Sequence, residues 1–202
     1  MLKLYYAPGA CSLSPHIALR EAELPFELTR VDFAAGRRTE DGFDYRTINP
    51  KGYVPALRLD DGQILTEGAV MVQYIADSKP ESGLAPAPGS FARVRLQEWL
   101  HYIATELHKG MGPLFLKDVP EDYKRSVLKR VGARFDFVAE HVVGRPFLFG
   151  DRFSIGDCYM VYALRAWKRQ NADQLSPVLE AYYAGLLERP AVKAAFAAEG
   201  IH

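Results

Sequence analysis

Residues 79–90 hold Pro80, Pro86 and Pro88 together with Gly83 and Gly89, so neither a helix nor a strand can run through them. This break divides the 202-residue chain into two stretches of different periodicity. Before it, short alternating runs take turns with helical ones. Beyond it no strand signal survives, and apolar residues recur at helical spacing only. A chain so divided predicts an α/β domain over residues 1–78, a linker over 79–90, and an all-helical domain over 91–202.

The first stretch opens on Leu2-Lys3-Leu4-Tyr5-Tyr6, an alternating run predicted to be a strand. Pro8-Gly9 forces a turn, and Ile17-Ala18-Leu19-Arg20-Glu21-Ala22 continues as a helix. Cys11 therefore stands where a strand feeds a helix, whether the cap is Cys11, Ser12 or Ser14. Unpaired amides and the positive end of the helix dipole favour an anion there, which lowers a thiol pKa. A buried, inert cysteine is the alternative reading. A second alternating run covers Phe26 to Phe33; a polar segment, 34–46, is expected to be loop with a short, weak helix. Asn49-Pro50-Lys51-Gly52 is a turn. Val54 to Leu65 then forms a hairpin about Asp60-Asp61-Gly62, and Thr66-Glu67-Gly68 opens a helix. The predicted order is β-α-β-α-β-β-α, with a parallel pair joined by a crossover helix ahead of an antiparallel hairpin.

In the second stretch, helical spacing appears from Phe91 to Leu107 and over 121–141, 154–169, 176–187 and 191–198. Ser154-Ile155-Gly156-Asp157 fits a capping box, which makes Asp157 structural, and Cys158 falls on the apolar face of the same helix.

Lys plus Arg and Asp plus Glu each number 25, giving zero net charge. Residues 1–78 carry 8 basic and 11 acidic side chains, the remainder 17 and 14. Neither part has the excess of a nucleic-acid or membrane-surface binder. Two cysteines 147 positions apart, with no Cys/His cluster, suggest neither a metal site nor a disulfide framework, and point to a cytoplasmic protein. No apolar run approaches membrane length.

Several groups could carry chemistry. Glu67 at a helix start can meet a ligand ammonium or balance the dipole. The isomer of the Val54–Pro55 bond is open from sequence; a cis bond would offer the Val54 backbone to an extended peptide. His108, at a helix C-terminus, is stabilised as a cation and could act as acid, base or donor, or be structural. Trp167 is either core or a ligand-facing aromatic.

The motifs Tyr5-Tyr6-x-Pro8-Gly9-Ala10-Cys11-Ser12, Asn49-Pro50-Lys51-Gly52-x-Val54-Pro55-Ala56-Leu57, Leu65-Thr66-Glu67-Gly68, Glu98-Trp99-Leu100, Thr105-Glu106-Leu107-His108-Lys109-Gly110 and Phe153-Ser154-Ile155-x-Asp157 together resemble the bacterial glutathione transferases of the beta class, in order and spacing. The resemblance implies a thioredoxin-like N-terminal domain, an all-helical C-terminal domain, a homodimer, and glutathione as substrate with no metal. Cys11 would face the glutathione sulfur, Val54 before a cis Pro55 would pair with its cysteinyl part, and Glu67 with the Gly68 amide would hold its γ-glutamyl end. Arg37, with Arg38 as rival, would take the glycyl carboxylate. His101, Thr105 and Glu106 would reach a partner's glutathione, and Leu107 belongs to the same motif. His108 and Lys109 would line the site of a small hydrophobic electrophile, with Trp167 as aromatic wall. Tyr6 and Ser12 occupy the positions that other classes use to activate the thiol. Gly68 lacks the hydroxyl many superfamily members carry, and His101 stands where relatives often have Asn. The implied activity is conjugation of glutathione, with thiol–disulfide exchange at Cys11 as a second reaction. A non-catalytic ligand-binding protein of the same fold is the alternative.

Overall fold

A computed structural model describes residues 1–171 and 174–202. Two compact units make up the chain: residues 1–85 with 189–202, and residues 86–188.

In the first unit, five strands lie in the order β3-β2-β1-β4-β5. β1 (Leu2–Tyr6) runs parallel to β2 (Phe26–Asp32), with Tyr6 opposite Arg30, and α1 (Leu13–Glu21) is the crossover. β4 (Ala56–Arg58) is antiparallel to β1 and to β5 (Ile64–Thr66), so the expected hairpin forms about Asp61-Gly62. α2 (Gly68–Ser78) packs on α1. Alternation along β1 explains the two cores, because neighbouring side chains leave a strand on opposite faces. Leu4 is fully buried, as are Leu13 and Ile17 of α1 and Met71 and Ile75 of α2. Tyr5 instead packs with Val31, Tyr45, Val54 and Ala56.

Two expectations are corrected here. The helix expected within 34–46 is absent. Asp32 Oδ1 accepts from the Ala34 and Ala35 amides, and both Gly36 and Arg37 have positive φ, 75° and 62°, which no right-handed helix contains. The segment makes a two-residue strand, β3 (Arg38–Thr39), and a 3₁₀ turn (Tyr45–Thr47) capped by Asp44. The last helix, α7 (Pro190–Glu199), was expected in the helical domain; it packs on α1 within the first unit. Arg189 grips Glu21 through two bonds of 2.6 and 2.7 Å, and Val192 and Ala195 are fully buried. Apolar spacing gives a helix its buried face without saying which neighbour covers it.

The second unit is all-helical: α3 (Phe91–Tyr102), α4 (Glu121–Val142), α5 (Ile155–Gln170) and α6 (Pro177–Leu187). Leu96, Leu100, Val127, Val131, Phe135 and Val161 fill its core. α5 begins with the expected capping box. Asp157 is fully buried and accepts four hydrogen bonds, from the Leu148 and Ser154 amides and the Ser154 and Tyr182 hydroxyls. Burial raises its pKa against the pull of those donors. Among the described residues no helix is long and apolar enough to cross a membrane.

Candidate functional site

The turn between β1 and α1 is built on its own hydrogen bonds. Ala10 N–H donates to Ala7 O at 3.0 Å and Leu13 N–H to Ala10 O at 3.0 Å, while Gly9 takes φ 66°. Ser12 caps α1 by position, yet its side chain makes no capping bond. Its fully buried hydroxyl accepts from Ala7 N–H and donates to Ala7 O, each at 3.2 Å. The single proton of Ser12 is thereby donated within its own loop. Cys11, just ahead of the helix, is part-exposed and donates its thiol to Val54 O at 3.2 Å. The Val54–Pro55 bond is cis. Tyr6 is also nearby in sequence, but burial and the Glu199 charge raise its pKa, so it remains a phenol.

The turn leading to Val54 is fixed by Tyr45 Oη and Asn49 Nδ2, which both donate to Tyr53 O, at 2.8 and 2.7 Å. Arg37 and Arg38 separate at this turn. Arg37 Nε donates to Gly52 O at 3.3 Å, whereas Arg38 turns away to Gly42 O at 2.8 Å. Gly52 has φ 69°, and a Cβ there would meet Arg37 Nε at 3.4 Å. Glu67 heads α2 with φ 69°. A positive φ on a non-glycine residue costs about 1–3 kcal/mol and clusters where function imposes it. Its carboxylate accepts from Lys51 Nζ at 2.7 Å, and Lys51 also reaches Thr66 Oγ1 at 3.1 Å.

In the second unit the T-E-L-H motif is not α-helical. Ile103–His108 forms a π-turn, in which Lys109 N–H donates to Ala104 O five residues back at 3.0 Å. Such turns recur at functional sites because they re-aim side chains without ending the helix. His101, Thr105 and Lys109 are exposed, and Glu106 forms an ion pair with Arg134. Leu107 is fully buried, so its side chain belongs to the core and not to a binding surface. His108 Nδ1 lies 2.8 Å from Tyr159 Oη, and its ring meets that of Tyr162 edge-on at 4.8 Å. Burial lowers its pKa to about 4, with the Lys109 charge adding to the effect. The cation expected at a helix end is thus overridden by desolvation, and the imidazole is neutral at neutral pH. Trp167 is corrected too: it is buried and stacks on Phe135 at 5.1 Å, a core ring in place of a ligand wall.

Sequence reasoning missed Tyr159, Arg134 and Glu199. Each is an ordinary helical residue whose partner lies far away in the chain. Among the described residues no group of three or more His, Cys, Asp or Glu side chains could hold a metal ion.

Residues 9–78 match the family model for the glutathione S-transferase N-terminal domain, and residues 102–190 match that for the C-terminal domain. The chain is 45% identical to glutathione S-transferase GstA of Escherichia coli O157:H7, over 99% of this chain and 100% of that protein. It superposes with TM-score 0.94 on a ternary complex of BphK, a bacterial glutathione transferase, at 48% identity, covering 98% of this chain and 100% of that one. A sphingomonad glutathione S-transferase complexed with glutathione superposes with TM-score 0.93 at 42% identity, covering 99% and 100%. Over both of its units, this chain belongs to the glutathione S-transferase family.

Proposed function

We propose that the protein is a beta-class glutathione S-transferase that conjugates the glutathione thiolate to small hydrophobic electrophiles. The observation that carries this reading is the edge of the first unit. There the Cys11 thiol is bonded to the Val54 backbone before cis Pro55, and Lys51 ties the turn ahead of Val54 to Glu67 at the N-terminus of α2. Glutathione is an extended anion with two carboxylates and one ammonium, and these groups match it in kind. The Val54 backbone pairs with the cysteinyl residue. Glu67 takes the γ-glutamyl ammonium, sharing it with or releasing Lys51, while the Gly68 amide and the helix dipole receive the adjoining carboxylate. Arg37, turned toward Gly52, is favoured over Arg38 for the glycyl carboxylate.

Bound in this way, the tripeptide thiol loses its proton to solvent. The thiolate forms the S–C bond as the leaving group departs with the bonding electrons. Lowering a thiol pKa by about two units takes roughly 2.7 kcal/mol, within reach of one or two charge-assisted hydrogen bonds. His108, neutral, is suited to a fixed hydrogen bond and not to giving up a proton, and exposed Lys109 is suited to receiving an anionic group. In the second reaction the Cys11 thiolate attacks a glutathione disulfide, forming a mixed disulfide and expelling one glutathione thiolate.

We also propose a homodimer in which His101, Thr105 and Glu106 reach the partner's glutathione. Exposed Phe91, Val94 and Phe137, with Trp99 stacked on Phe137 at 5.8 Å, support an apolar contact face on α3 and α4. The cytoplasm, with glutathione and reduced thiols, suits this chemistry, and removal of reactive electrophiles suits its products.

Conjugation of glutathione to an aromatic halide tests the reading. Turnover is expected in the unaltered protein and, in large part, in Cys11→Ala, which loses only the mixed disulfide. Loss of conjugation in Cys11→Ala would overturn this division of labour, and no turnover in either would favour a non-catalytic ligand-binding role.

A further inference from the structure

The first unit contains a fully buried pair of titratable side chains that the proposed reaction does not use: His16 of α1 and Glu199 of α7. Glu199 divides its carboxylate between two donors. Oε1 meets His16 Nδ1 at 2.8 Å, and Oε2 accepts from the main-chain N–H of Gly9 at 2.8 Å. Arg20 Nε in turn reaches His16 Nε2 at 2.9 Å.

The chemistry of these groups fixes the direction of every bond. A guanidinium can only donate, so His16 Nε2 is an acceptor and carries no proton. Nδ1 must then hold the ring proton and donate it to Glu199. His16 is therefore a neutral relay between a cation and a buried carboxylate. Arg20 also lies over the Phe26 ring at 5.7 Å, and that ring meets His16 edge-on at 5.6 Å, which screens the relay from water. Tyr6 faces the same carboxylate and feels its charge.

Gly9 is two residues before Cys11, at the positive-φ corner of the loop. Its N–H belongs to the Pro8–Gly9 peptide plane, whose tilt sets the direction in which the chain proceeds to Ala10 and Cys11. Ser12 fixes that loop from within through Ala7. Glu199 fixes it from the far end of the sequence.

We propose that Glu199 is a positioning residue for Cys11: it holds the Pro8–Gly9 plane and so sets where the thiol stands, with Arg20 acting through His16 as its counter-charge. The role rests on Cys11 being the reactive thiol of the proposed function, but its test needs neither glutathione nor an electrophile substrate.

The full chain is treated with iodoacetamide across a range of pH, and Cys11 and Cys158 peptides are quantified by mass spectrometry; buried Cys158 serves as internal reference. Glu199→Gln keeps the shape but places an amide N–H₂ against one of two donors. Its Cys11 alkylation is expected to slow by about threefold or more at neutral pH, with the midpoint of the rate profile moved upward. Arg189→Gln is the control: it removes the bidentate pair with Glu21 of α1, which also anchors α7 but is not the bond to the Gly9 amide. It is expected to lower the melting temperature and leave the alkylation profile in place. If Glu199→Gln does not fold, Arg20→Gln, at the half-exposed end of the relay, is expected to give a smaller upward shift of the same midpoint. An unmoved profile in Glu199→Gln, or in Arg20→Gln where that variant stands in, overturns the proposal. So does an Arg189→Gln profile shifted as far as that of Glu199→Gln. A Cys11 inert in the unaltered chain would overturn the function and with it this role.

Discussion

Glu67 shows how a single residue can be placed against its own preference. Its φ of 69° belongs to glycine, and its carboxylate is half of an exposed ion pair with Lys51. Such a pair contributes about 0–1 kcal/mol, less than the backbone conformation costs. Glu67→Gly should therefore raise unfolding stability by about 1 kcal/mol in urea titration, while the KM for glutathione climbs about tenfold, equivalent to one charge-assisted hydrogen bond. His108 gives a second residue-scale test, through pH. Its pKa falls from an ordinary 6.5 to about 4 on folding, because burial disfavours the cation. Above pH 6.5 the ring is neutral in both states and contributes nothing. Between 6.5 and 4 the unfolded chain binds a proton that the folded chain does not, so stability falls on acidification, by about 3 kcal/mol at the lower limit. His108→Gln should flatten that slope in unfolding measurements from pH 7 to pH 4. The motif around His108 is plain in the sequence, but its charge state is not, because burial by Tyr159 and Tyr162 from another helix decides it.

At the scale of elements, two helix termini do work that regular helix could not. The π-turn Ile103–His108 ends beside Gly110, where an added Cβ would collide with the Glu106 carbonyl and approach the Arg134 guanidinium at 3.3 Å. Gly110→Ala should destabilise the fold by about 2 kcal/mol and reduce conjugation, with calorimetry and steady-state kinetics as readouts. The capping box of α5 is the counterpart. Asp157→Ala strips four donors of a buried acceptor and should cost about 3 kcal/mol or more, seen as a lower urea midpoint. These two elements differ in how far the sequence discloses them. The capping box is a local pattern of four residues, legible because its donors and acceptor are neighbours. The π-turn leaves the apolar spacing of Ile103 and Leu107 helical and hides its extra residue. For the same reason the polar stretch after β2 suggests a weak helix, when Asp32 and two positive φ values make it a turn and a short strand.

For the whole molecule, the two classes of architecture are legible because the period of apolar residues changes along the chain, and the first break between the units falls between residues 85 and 86. The return of α7 to the first unit is not legible, since Glu199 and His16 meet across 183 positions. The motifs at Cys11, Val54 and Glu67 are visible as turns and helix starts, and their meeting at one edge of the first unit, where β1 and β5 end and β4 begins, follows from the antiparallel β1–β4 pair and the β4–β5 hairpin. Leu107, Ser12 and Trp167 show the opposite case, in which a motif position is occupied by a side chain spent on packing or on its own loop. The central claim is that this edge presents glutathione sulfur-first to Cys11. A crystal structure of the protein soaked with glutathione tests it most directly. The account predicts the ligand's cysteinyl backbone paired with Val54, its γ-glutamyl end at Glu67 and Gly68, and its sulfur in contact with Cys11 Sγ. A tripeptide bound elsewhere, or bound with its sulfur turned away from Cys11, would contradict it.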